Sequence, residues 1–512
     1  MKKGFFICWI FVMLALTLNA ETVSLDAGDA VFQARGGEDY YLGRPLVCAD
    51  FNGDGFDDVI CGADKWSFET GERPTLYGFR GRGVYHGEVI DLASQSADAE
   101  IYGESGSDNF ANALAAGDVN NDGIMDLVAA DSTYSHLSRA SCGVVYVIFG
   151  NPDFFNNGNF DLEQGDWDLK LPGAKAGDDT GGWNLLGGLT SDALSCGDFN
   201  GDGIDDMAIG AHLATVSSTS AAGRVYIVFG DAAFSHGDII DLAADSDVTI
   251  NGDETYGELG TQVDAGDING DGVDDLLLGE EEGSEGLFTS EGKAFVFYGS
   301  PSFSGIKSVT SADVSFTGGY AGDQLGAAAA LSDVNGDGIS DVVLHAIGWD
   351  SSHSDSVSVG GIYGFYGGGL SADYDLTGAN PDFFIEGYNE NNALYWTLEP
   401  GDFNGDGFGD ILFSSRDGER SGFSSEGRVF AIQGQSSMPE NFSVENEDFD
   451  YIINGGKDYF QLGDTIASGD VDNDGSDEVI AAAPFVDSSN GRFLIFDFNP
   501  QLSVSGAWIY YE

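Results

Sequence analysis

The chain has 512 residues, of which 42% are hydrophobic, and this is enough for a large buried core. It carries 86 Asp and Glu against 19 Lys and Arg, a formal net charge of −67 at pH 7. So much negative charge disfavours nucleic acids and anionic membrane surfaces as partners, and it favours divalent cations.

The first twenty residues, MKKGFFICWIFVMLALTLNA, have the pattern of a secretory signal peptide. Lys2 and Lys3 form a basic start, an apolar run follows at 5–18, and the stretch ends in the small residue Ala20. The apolar run is shorter than a stable membrane span needs, although a membrane anchor is the alternative interpretation. We therefore expect residues 1–20 to direct export to the periplasm or the extracellular space. We expect no membrane span in the mature chain.

The rest of the chain is dominated by a nine-residue acidic stretch that occurs seven times. The copies are DFNGDGFDD at 50–58, DVNNDGIMD at 118–126, DFNGDGIDD at 198–206, DINGDGVDD at 267–275, DVNGDGISD at 333–341, DFNGDGFGD at 402–410 and DVDNDGSDE at 470–478. They begin 66 to 80 residues apart. This near-constant period predicts one array of seven similar units rather than several unrelated domains.

Each copy lies within the same series of short apolar runs. One run ends just before the stretch, a second follows it, as in DDVICGA, and a third comes about twenty residues later, as in GVVYVIFG. A fourth run, such as DVTING, completes the unit. Runs that are bounded by glycine and rich in Val, Ile, Phe and Tyr are typical of β-strands. Four strands in each of seven units predict an all-β, seven-bladed β-propeller with four-stranded blades.

The order of the runs also predicts how the ring closes. The segment AVFQARGGEDYYLG at 30–43 resembles a fourth run but precedes the first acidic stretch, whereas the last unit ends after its third run, GRFLIFDF. We therefore expect residues 30–36 to complete the seventh blade, which leaves no free edge strand between blades. The propeller would then span residues 21–498. Residues 499–512 remain as a C-terminal tail or an extra strand.

The nine-residue stretch has the ligand spacing of a calcium-binding loop. Positions 1, 3, 5 and 9 offer side-chain oxygens, position 7 can offer its backbone carbonyl, and position 6 is glycine in all seven copies. Oxygen ligands without His or Cys favour Ca²⁺ over zinc or copper, so the sequence predicts up to seven calcium ions. The alternative is an Asx-rich turn without metal, which a single copy would fit better than seven copies do.

The predicted ligands are taken from the same five positions of every loop. They are Asp50, Asn52, Asp54, Phe56, Asp58, Asp118, Asn120, Asp122, Ile124, Asp126, Asp198, Asn200, Asp202, Ile204, Asp206, Asp267, Asn269, Asp271, Val273, Asp275, Asp333, Asn335, Asp337, Ile339, Asp341, Asp402, Asn404, Asp406, Phe408, Asp410, Asp470, Asp472, Asp474, Ser476 and Glu478. The seventh loop departs most from the pattern, since it has Asp472 in place of Asn and Glu478 in place of Asp.

Four cysteines follow the signal segment: Cys48, Cys61, Cys142 and Cys196. Export permits disulfides, and Cys48 and Cys61 flank the first loop, where they could face each other across a hairpin. Cys196 occupies the slot of Cys48 in a later unit that has no second cysteine. This favours the alternative, in which the cysteines are small buried hydrophobic residues.

The units resemble the FG-GAP repeats of integrin α-chain propellers. The signature of that repeat is an aromatic-Gly or Leu-Gly pair, a run into a calcium loop, and then Gly-Ala-Pro. The pair appears at 42–43, 259–260, 325–326 and 462–463, and parts of the last element appear at 62–63, 210–211 and 482–484. His345 and Ser414 replace its glycine in the fifth and sixth units. The resemblance implies calcium at the matching loops on one rim of the ring and ligand binding at the opposite rim.

The links expected to build that opposite rim are long and carry aromatic and histidine residues. These are Trp66, Phe68, Tyr134, His136, His212, Phe288, Trp349, His353 and Phe423. Exposed aromatic residues provide stacking surfaces for sugars or anchors for a protein partner, whereas the alternative is that each one packs under its own loop. We expect a non-enzymatic adhesion or recognition module that binds a protein or glycan ligand at this rim.

Two other functions remain open. One is a polysaccharide-active enzyme, for example a lyase, whose base would be His136, His212, His345 or His353. The sequence contains no GxSxG, no HExxH and no spaced Cys/His metal motif, which disfavours an enzyme. The other is a scaffold whose chemistry is limited to calcium.

Overall fold

A computed structural model describes residues 21–24, 30–36, 41–63, 73–83, 87–105, 110–156, 158–181, 193–281, 291–350, 358–378, 380–387, 393–419, 423–446, 449–486 and 490–498. Within these ranges the strands form seven separate sheets. The innermost strand of each sheet contacts the innermost strands of both neighbouring sheets, and these contacts continue around the whole circle. The fold is therefore a closed seven-bladed β-propeller, as the repeat pattern predicts.

The strands of each blade are named here from the innermost outward. Blade 1 consists of Leu42–Ala49, Asp58–Ala63, Thr75–Phe79, Ala99–Tyr102 and Asn159–Asp161. Blade 2 consists of Phe110–Gly117, Asp126–Asp131, Val144–Ile148, Leu169–Pro172 and Asp238–Ile239. Blade 3 consists of Leu194–Gly197, Asp206–Gly210, Arg224–Val228, Val248–Asn251 and Gly305–Ser308. Blade 4 consists of Gln262–Gly266, Asp275–Glu280, Lys293–Phe297, Val314–Thr317 and Asp373–Asp375. Blade 5 consists of Leu325–Ser332, Asp341–Ala346, Gly361–Phe365, Phe383–Glu386 and Asn441–Ser443. Blade 6 consists of Tyr395–Gly401, Asp410–Ser415, Arg428–Ile432, Tyr451–Asn454 and Glu21–Ser24. Blade 7 consists of Ile466–Gly469, Glu478–Ala482, Arg492–Phe496, Phe32–Arg35 and Glu88–Asp91.

Each blade has a fifth strand that the sequence pattern does not predict. The first four strands are antiparallel, whereas the fifth runs parallel to the fourth and comes from the next blade around the ring. In blade 3, for example, Val248–Asn251 pairs with Gly305–Ser308, which lies between the third and fourth strands of blade 4. These outer strands are two to four residues long, so they show little of the alternation that identifies a strand.

The N-terminal segment closes the ring, as the sequence predicts. Phe32–Arg35 pairs antiparallel with Arg492–Phe496 and so becomes the fourth strand of blade 7. Glu21–Ser24 pairs parallel with Tyr451–Asn454 and becomes the fifth strand of blade 6. The start of the chain thus supplies the two strands that, in the other units, follow the third strand of the same unit. Residues 1–20 and 499–512 lie outside the described residues.

The core lies between neighbouring blades. The described residues form seven clusters of buried hydrophobic side chains, and each cluster joins two adjacent blades. In the third strand of blade 2, Val144 and Tyr146 pack towards blade 1 whereas Val145 and Val147 pack towards blade 3. Because successive side chains point to opposite faces and both faces are covered, the middle strands are hydrophobic throughout rather than alternating.

Helices are minor in the described residues. They comprise the four-residue helix Leu242–Asp245 and the 3-10 turns Leu162–Gln164 and Val309–Ser311. None of the described helices has the length and hydrophobicity of a membrane span.

The four described cysteines are all free. Cys61 lies opposite Leu46 and Cys48 lies opposite Val59, so the two side chains are out of register across the hairpin. The Cys48–Cys61 bridge considered from the sequence is therefore wrong. Cys61 and Cys142 are buried, and Cys48 and Cys196 are half-buried, in agreement with the alternative that they are packing residues.

Candidate metal centres

All seven acidic loops connect the first and second strands of their blades, and all are described by the structure. Because the first four strands of each blade are antiparallel, these loops emerge at the same rim of the ring. We call it the loop rim. The links from second to third strands, and from fourth strands to the next blade, lie at the opposite rim. All 35 predicted ligands are thereby placed at the loop rim, in seven groups.

The aspartate at position 1 organises each loop by accepting backbone N–H groups. In the first loop, Asp50 accepts hydrogen bonds from the amides of Gly53, Asp54 and Gly55 at 2.7, 3.1 and 2.8 Å. The bonds from positions 5 and 6 recur in all seven loops at 2.7–3.1 Å. The carboxylate therefore holds the chain in a tight turn around itself, an arrangement typical of Asx-containing turns.

The turn requires glycine at position 6. Its φ angle lies between +84° and +91° in all seven loops, a region that residues with a side chain rarely adopt. Position 7 then donates its N–H to the carboxylate at position 5, at 3.0–3.1 Å in every loop. The sequence expectation for glycine is confirmed.

The carboxylate at position 9 forms the floor of each loop. It is buried in all seven blades and accepts the N–H of position 2 at 2.9–3.2 Å. In blades 1 to 6 it also accepts the N–H of a glycine just after the third strand, at 2.7–3.0 Å. The position 9 carboxylate thus ties the loop to the body of its blade.

Burial raises the pKa of every position 9 carboxyl group. It raises the pKa of Asp58, Asp126 and Asp410 to about 8, and that of Asp206, Asp275 and Asp341 to about 7. The pKa of Glu478 rises to about 10, again first because of burial. Neighbouring aspartates of the same loop add to each increase. A cation beside these groups would favour their charged form.

Several loop oxygens are left without a protein partner, which supports a cation. The side-chain amide of Asn120 donates to Asp126 at 3.3 Å, and that of Asn404 donates to Asp410 at 3.5 Å. The carbonyl oxygens of both asparagines are buried and accept no hydrogen bond within the described residues. A buried oxygen without a donor is costly unless a cation or water meets it. The donor set, all oxygen, fits a hard cation such as Ca²⁺.

Neighbouring loops also bond to one another. The N–H of position 8 donates to the carbonyl of position 1 in the preceding loop, at 2.8–3.3 Å, at six of the seven junctions in the described chain. At four of these junctions position 8 is an aspartate whose carboxylate accepts the position 1 N–H of the same neighbour, as Asp274 does from Asp198 at 3.0 Å. The loops therefore form a hydrogen-bonded belt rather than isolated turns.

The seventh loop brings more carboxylates together than the others. One carboxylate oxygen from each of Asp470, Asp472 and Glu478 lies within 4.8 Å of the other two, and the same holds for Asp472, Asp474 and Asp497. Sequence reasoning missed Asp497, which follows the third strand outside the loop. The signal was visible, because the third run ends in IFDF in this unit and in IFG, VFG or FYG in others.

The opposite rim differs from the sequence expectation. Trp349 is half-buried and packs edge to face on Phe384, with ring centres 5.0 Å apart. Tyr134 is half-buried beside Lys170, whose ammonium nitrogen lies 4.4 Å from the centre of the ring. Phe423 and His136 are half-buried, and His212 is buried. Trp66, Phe68, Phe288 and His353 lie outside the described residues.

Other side chains are the exposed ones at this rim. Tyr256, Tyr320 and Tyr459 are 40%, 43% and 70% exposed, and all three lie in links from a fourth strand to the next blade. Leu137, in the link between the second and third strands of blade 2, is 90% exposed. Among the described residues of this rim, the exposed large apolar side chains are therefore Leu137 and three tyrosines, none of which was named as a candidate from the sequence.

Two of the four histidines considered as catalytic bases lie in the interior. His345 and His212 are buried, and burial lowers their pKa to about 3 and about 4. Both are therefore neutral at physiological pH. Their burial also separates them from any polysaccharide bound at a rim, which weakens the lyase interpretation.

Comparisons with known proteins agree with this architecture. A family model described as FG-GAP repeat matches residues 192–228 and 259–297, and one described as FG-GAP-like repeat matches residues 50–129. Phosphatidylinositol-glycan-specific phospholipase D of Dictyostelium discoideum is 28% identical over 80% of this chain and 44% of that protein. The Bos taurus protein of the same name is 32% identical over 38% of this chain and 21% of its own. Integrin alpha-5 of Xenopus laevis is 29% identical over 31% of this chain and 15% of that protein. The chain spans less than half the length of these relatives.

Proposed function

We propose that this chain, which is an FG-GAP repeat β-propeller, is a secreted, calcium-stabilised and non-catalytic recognition module that binds a glycan at the rim opposite its acidic loops. The observation that carries the proposal is the division of the molecule into two unlike rims. One rim repeats a single carboxylate-lined loop seven times, and the other exposes tyrosines on links that differ between blades.

Calcium is the proposed occupant of the loops. In each loop, positions 1, 3, 5 and 9 would hold the ion through side-chain oxygens and position 7 through its carbonyl. The ion would supply positive charge to a region where three or four carboxylates from one loop meet. It would also fix the turn that links the first and second strands. Its role is structural, and the belt between loops would extend that order around the ring.

A glycan is the proposed ligand because of the chemistry of the opposite rim. Tyrosine rings stack on sugar faces, and tyrosine hydroxyl groups donate and accept hydrogen bonds to sugar hydroxyls. Three tyrosines offer such rings. Tyr256 lies in the link from blade 3 to blade 4, Tyr320 in the link from blade 4 to blade 5, and Tyr459 in the link from blade 6 to blade 7. A protein ligand is the alternative occupant, and the resemblance to integrin α-chains favours it.

The names of the relatives suggest a specific glycan. The phospholipase D relatives are named for a phosphatidylinositol glycan, and one of them covers 80% of this chain at 28% identity. The chain corresponds to less than half of that protein. We propose that the shared part recognises the glycan and that cleavage is not a property of this propeller. In the described residues, the side-chain groups that could hold a metal are composed of carboxylates alone.

The experiment is glycan-array binding by the mature protein in millimolar calcium, with inositol-linked glycans included. The variant replaces Tyr256 and Tyr459 by Asn, which tolerates the left-handed backbone (φ +60° and +57°) at both positions. Ile306→Asn is the control, because Ile306 is 83% exposed but lies on the outer edge of blade 3. We expect the tyrosine variant to lose binding and the control to keep it. Equal binding by both, or release of cleaved product, would contradict the proposal.

A further inference from the structure

Blade 7 differs from the other six at the floor of its loop. In blades 1 to 6, one oxygen of the position 9 carboxylate accepts the N–H of a glycine after the third strand. Blade 7 has Phe498 at that place. Glu478 is only 1% exposed, and its Oε2 accepts the N–H of Val471 at 2.9 Å. Its Oε1 is buried and accepts no hydrogen bond within the described residues.

A second difference lies one residue earlier. In blades 1 to 6, an aspartate just before the fourth strand accepts the N–H of the residue that follows the third strand, at 2.7–3.0 Å. In blade 7 this aspartate is replaced by Val31, and the residue after the third strand is itself acidic, Asp497. A carboxylate is therefore present in blade 7 too, but it has moved to the strand end that faces the loop.

The moved carboxylate meets the loop. Asp497 forms a group with Asp472 and Asp474, and Asp472 also belongs to the group with Asp470 and Glu478. Five carboxylates are thus linked through Asp472, which has a buried oxygen without a hydrogen-bond partner in the described chain. The other loops offer three carboxylates at their predicted ligand positions.

We propose that the seventh loop and Asp497 together form a cation site of a distinct kind. Asp497 is a ligand supplied from outside the loop, and the site binds calcium more tightly than the other six. Calcium affinity rises with the number of charged ligands, and the unpartnered Oε1 of Glu478 supplies the buried oxygen that a cation would satisfy. This inference rests on the proposed binding of calcium by the loops.

The position of the site gives it a consequence for the whole ring. Asp497 directly follows Arg492–Phe496, the strand that pairs with Phe32–Arg35 where the two ends of the chain meet. The tightest ion would therefore sit beside the seam that closes the propeller. An ion at this site would stabilise blade 7, whose third and fourth strands come from opposite ends of the sequence.

The test is a count of bound calcium per chain at graded free calcium. The mature protein is dialysed against chelator-buffered solutions between about 10 nM and 1 mM free calcium, and bound calcium is measured by elemental analysis. The variants are Asp497→Asn and Asp497→Glu, and the second one keeps the carboxylate. Asp231→Asn is the control, because Asp231 is exposed at the same rim of blade 3 and lies outside every loop.

We expect the unmodified protein to lose six of its calcium ions first as the free calcium concentration is lowered. The seventh ion should remain bound until the free calcium is about tenfold or more lower. Asp497→Asn should weaken that one site by about 10- to 100-fold, whereas Asp497→Glu and Asp231→Asn should keep it. A single affinity class in the unmodified protein, or an unchanged isotherm for Asp497→Asn, would overturn this inference and leave calcium binding by the loops intact. No bound calcium at 1 mM would overturn both proposals.

Discussion

At the loop rim of the propeller, seven links share one hydrogen-bond pattern, whereas the links at the opposite rim differ in length, composition and burial. The position 1 aspartate accepts equivalent N–H groups and the position 6 glycine has the same backbone conformation in every loop. The position 9 carboxylate accepts the N–H of position 2 in all seven loops. At the opposite rim, Trp349 packs into its own blade while Tyr459 is 70% exposed.

The two rims are subject to different constraints. A loop that encloses a cation must place several oxygens around one point, so its residues vary little from blade to blade. A link that only has to return the chain to the next strand is free to vary, and binding specificity in repeat proteins arises on such surfaces. The loop rim should therefore govern stability, and the opposite rim should govern recognition.

Removal of calcium from the loop rim should cause the largest loss of stability. When free calcium is ten times the dissociation constant of a site, binding at that site adds about 1.4 kcal/mol to the free energy of unfolding. Seven such sites would add about 10 kcal/mol. We expect the melting temperature to fall by about 10 °C or more when EGTA replaces millimolar calcium, as measured by calorimetry. Magnesium should restore little of this loss, because it retains its waters and suits smaller octahedral sites. A melting temperature indifferent to EGTA would remove the distinction between the rims.

The loss of one aspartate from a loop can be compared with the loss of one aspartate from the opposite rim. Asp198→Asn removes a position 1 carboxylate, which accepts the N–H groups of Asp202 and Gly203 at 2.9 and 2.8 Å. We expect it to lower the free energy of unfolding in calcium by about 2 kcal/mol and to reduce bound calcium by one ion per chain.

The matched control for that variant is Asp253→Asn. Asp253 is exposed in the link that leaves blade 3 at the opposite rim. We expect its replacement to change the free energy of unfolding by less than about 0.5 kcal/mol. Equal losses from Asp198→Asn and Asp253→Asn would mean that net negative charge, rather than loop geometry, sets stability.

A pH effect should arise away from the loops. His345, at the opposite-rim half of the second strand in blade 5, is buried, and burial lowers its pKa to about 3. An unfolded histidine takes up a proton near pH 6.5, so the native state loses stability as the pH falls below that value.

The variant His345→Ala removes this pH dependence, and alanine is the residue that blade 2 has at the same place, Ala130. Between pH 7 and pH 5 the unmodified protein should lose about 2 kcal/mol more than the variant does, in denaturant titrations with saturating calcium. Equal losses in both proteins would assign the whole pH dependence to the loops.

The smallest effect on stability should come from the exposed tyrosines. Tyr459→Asn removes a side chain that is 70% exposed, so the free energy of unfolding should change by less than about 0.5 kcal/mol in calcium. Glycan binding should nevertheless weaken. A loss of stability comparable to that of Asp198→Asn would show that this rim also contributes to the stability of the fold.

Much of this fold could be predicted because its signals are local and repeated. The seven loops, their glycines and the closing strand at 32–35 follow from motif spacing and from one run that precedes its expected place. Pairing of Cys48 with Cys61 was a wrong alternative, because the hairpin register places Cys48 opposite Val59 and Cys61 opposite Leu46.

What was not predicted depends on contacts between distant segments. The fifth strands, such as Glu88–Asp91 beside Phe32–Arg35, are short edge strands whose outer faces meet solvent, so they lack an apolar pattern. The approach of Asp497 to the seventh loop, and the packing of Trp349 on Phe384, also require the blade to be assembled first. Calcium binding by the loop residues remains a prediction, and it rests on the geometry of the loops.

The most direct test of calcium binding at the loop rim is the number of calcium ions per chain at saturation. Mature protein is stripped with chelator, equilibrated in millimolar calcium with excess magnesium, desalted into that calcium concentration and analysed for both metals against protein concentration. Calcium close to seven ions per chain, with little magnesium, is the result predicted here. Calcium near zero, or equal amounts of the two metals, would contradict the assignment of the seven loops as calcium sites.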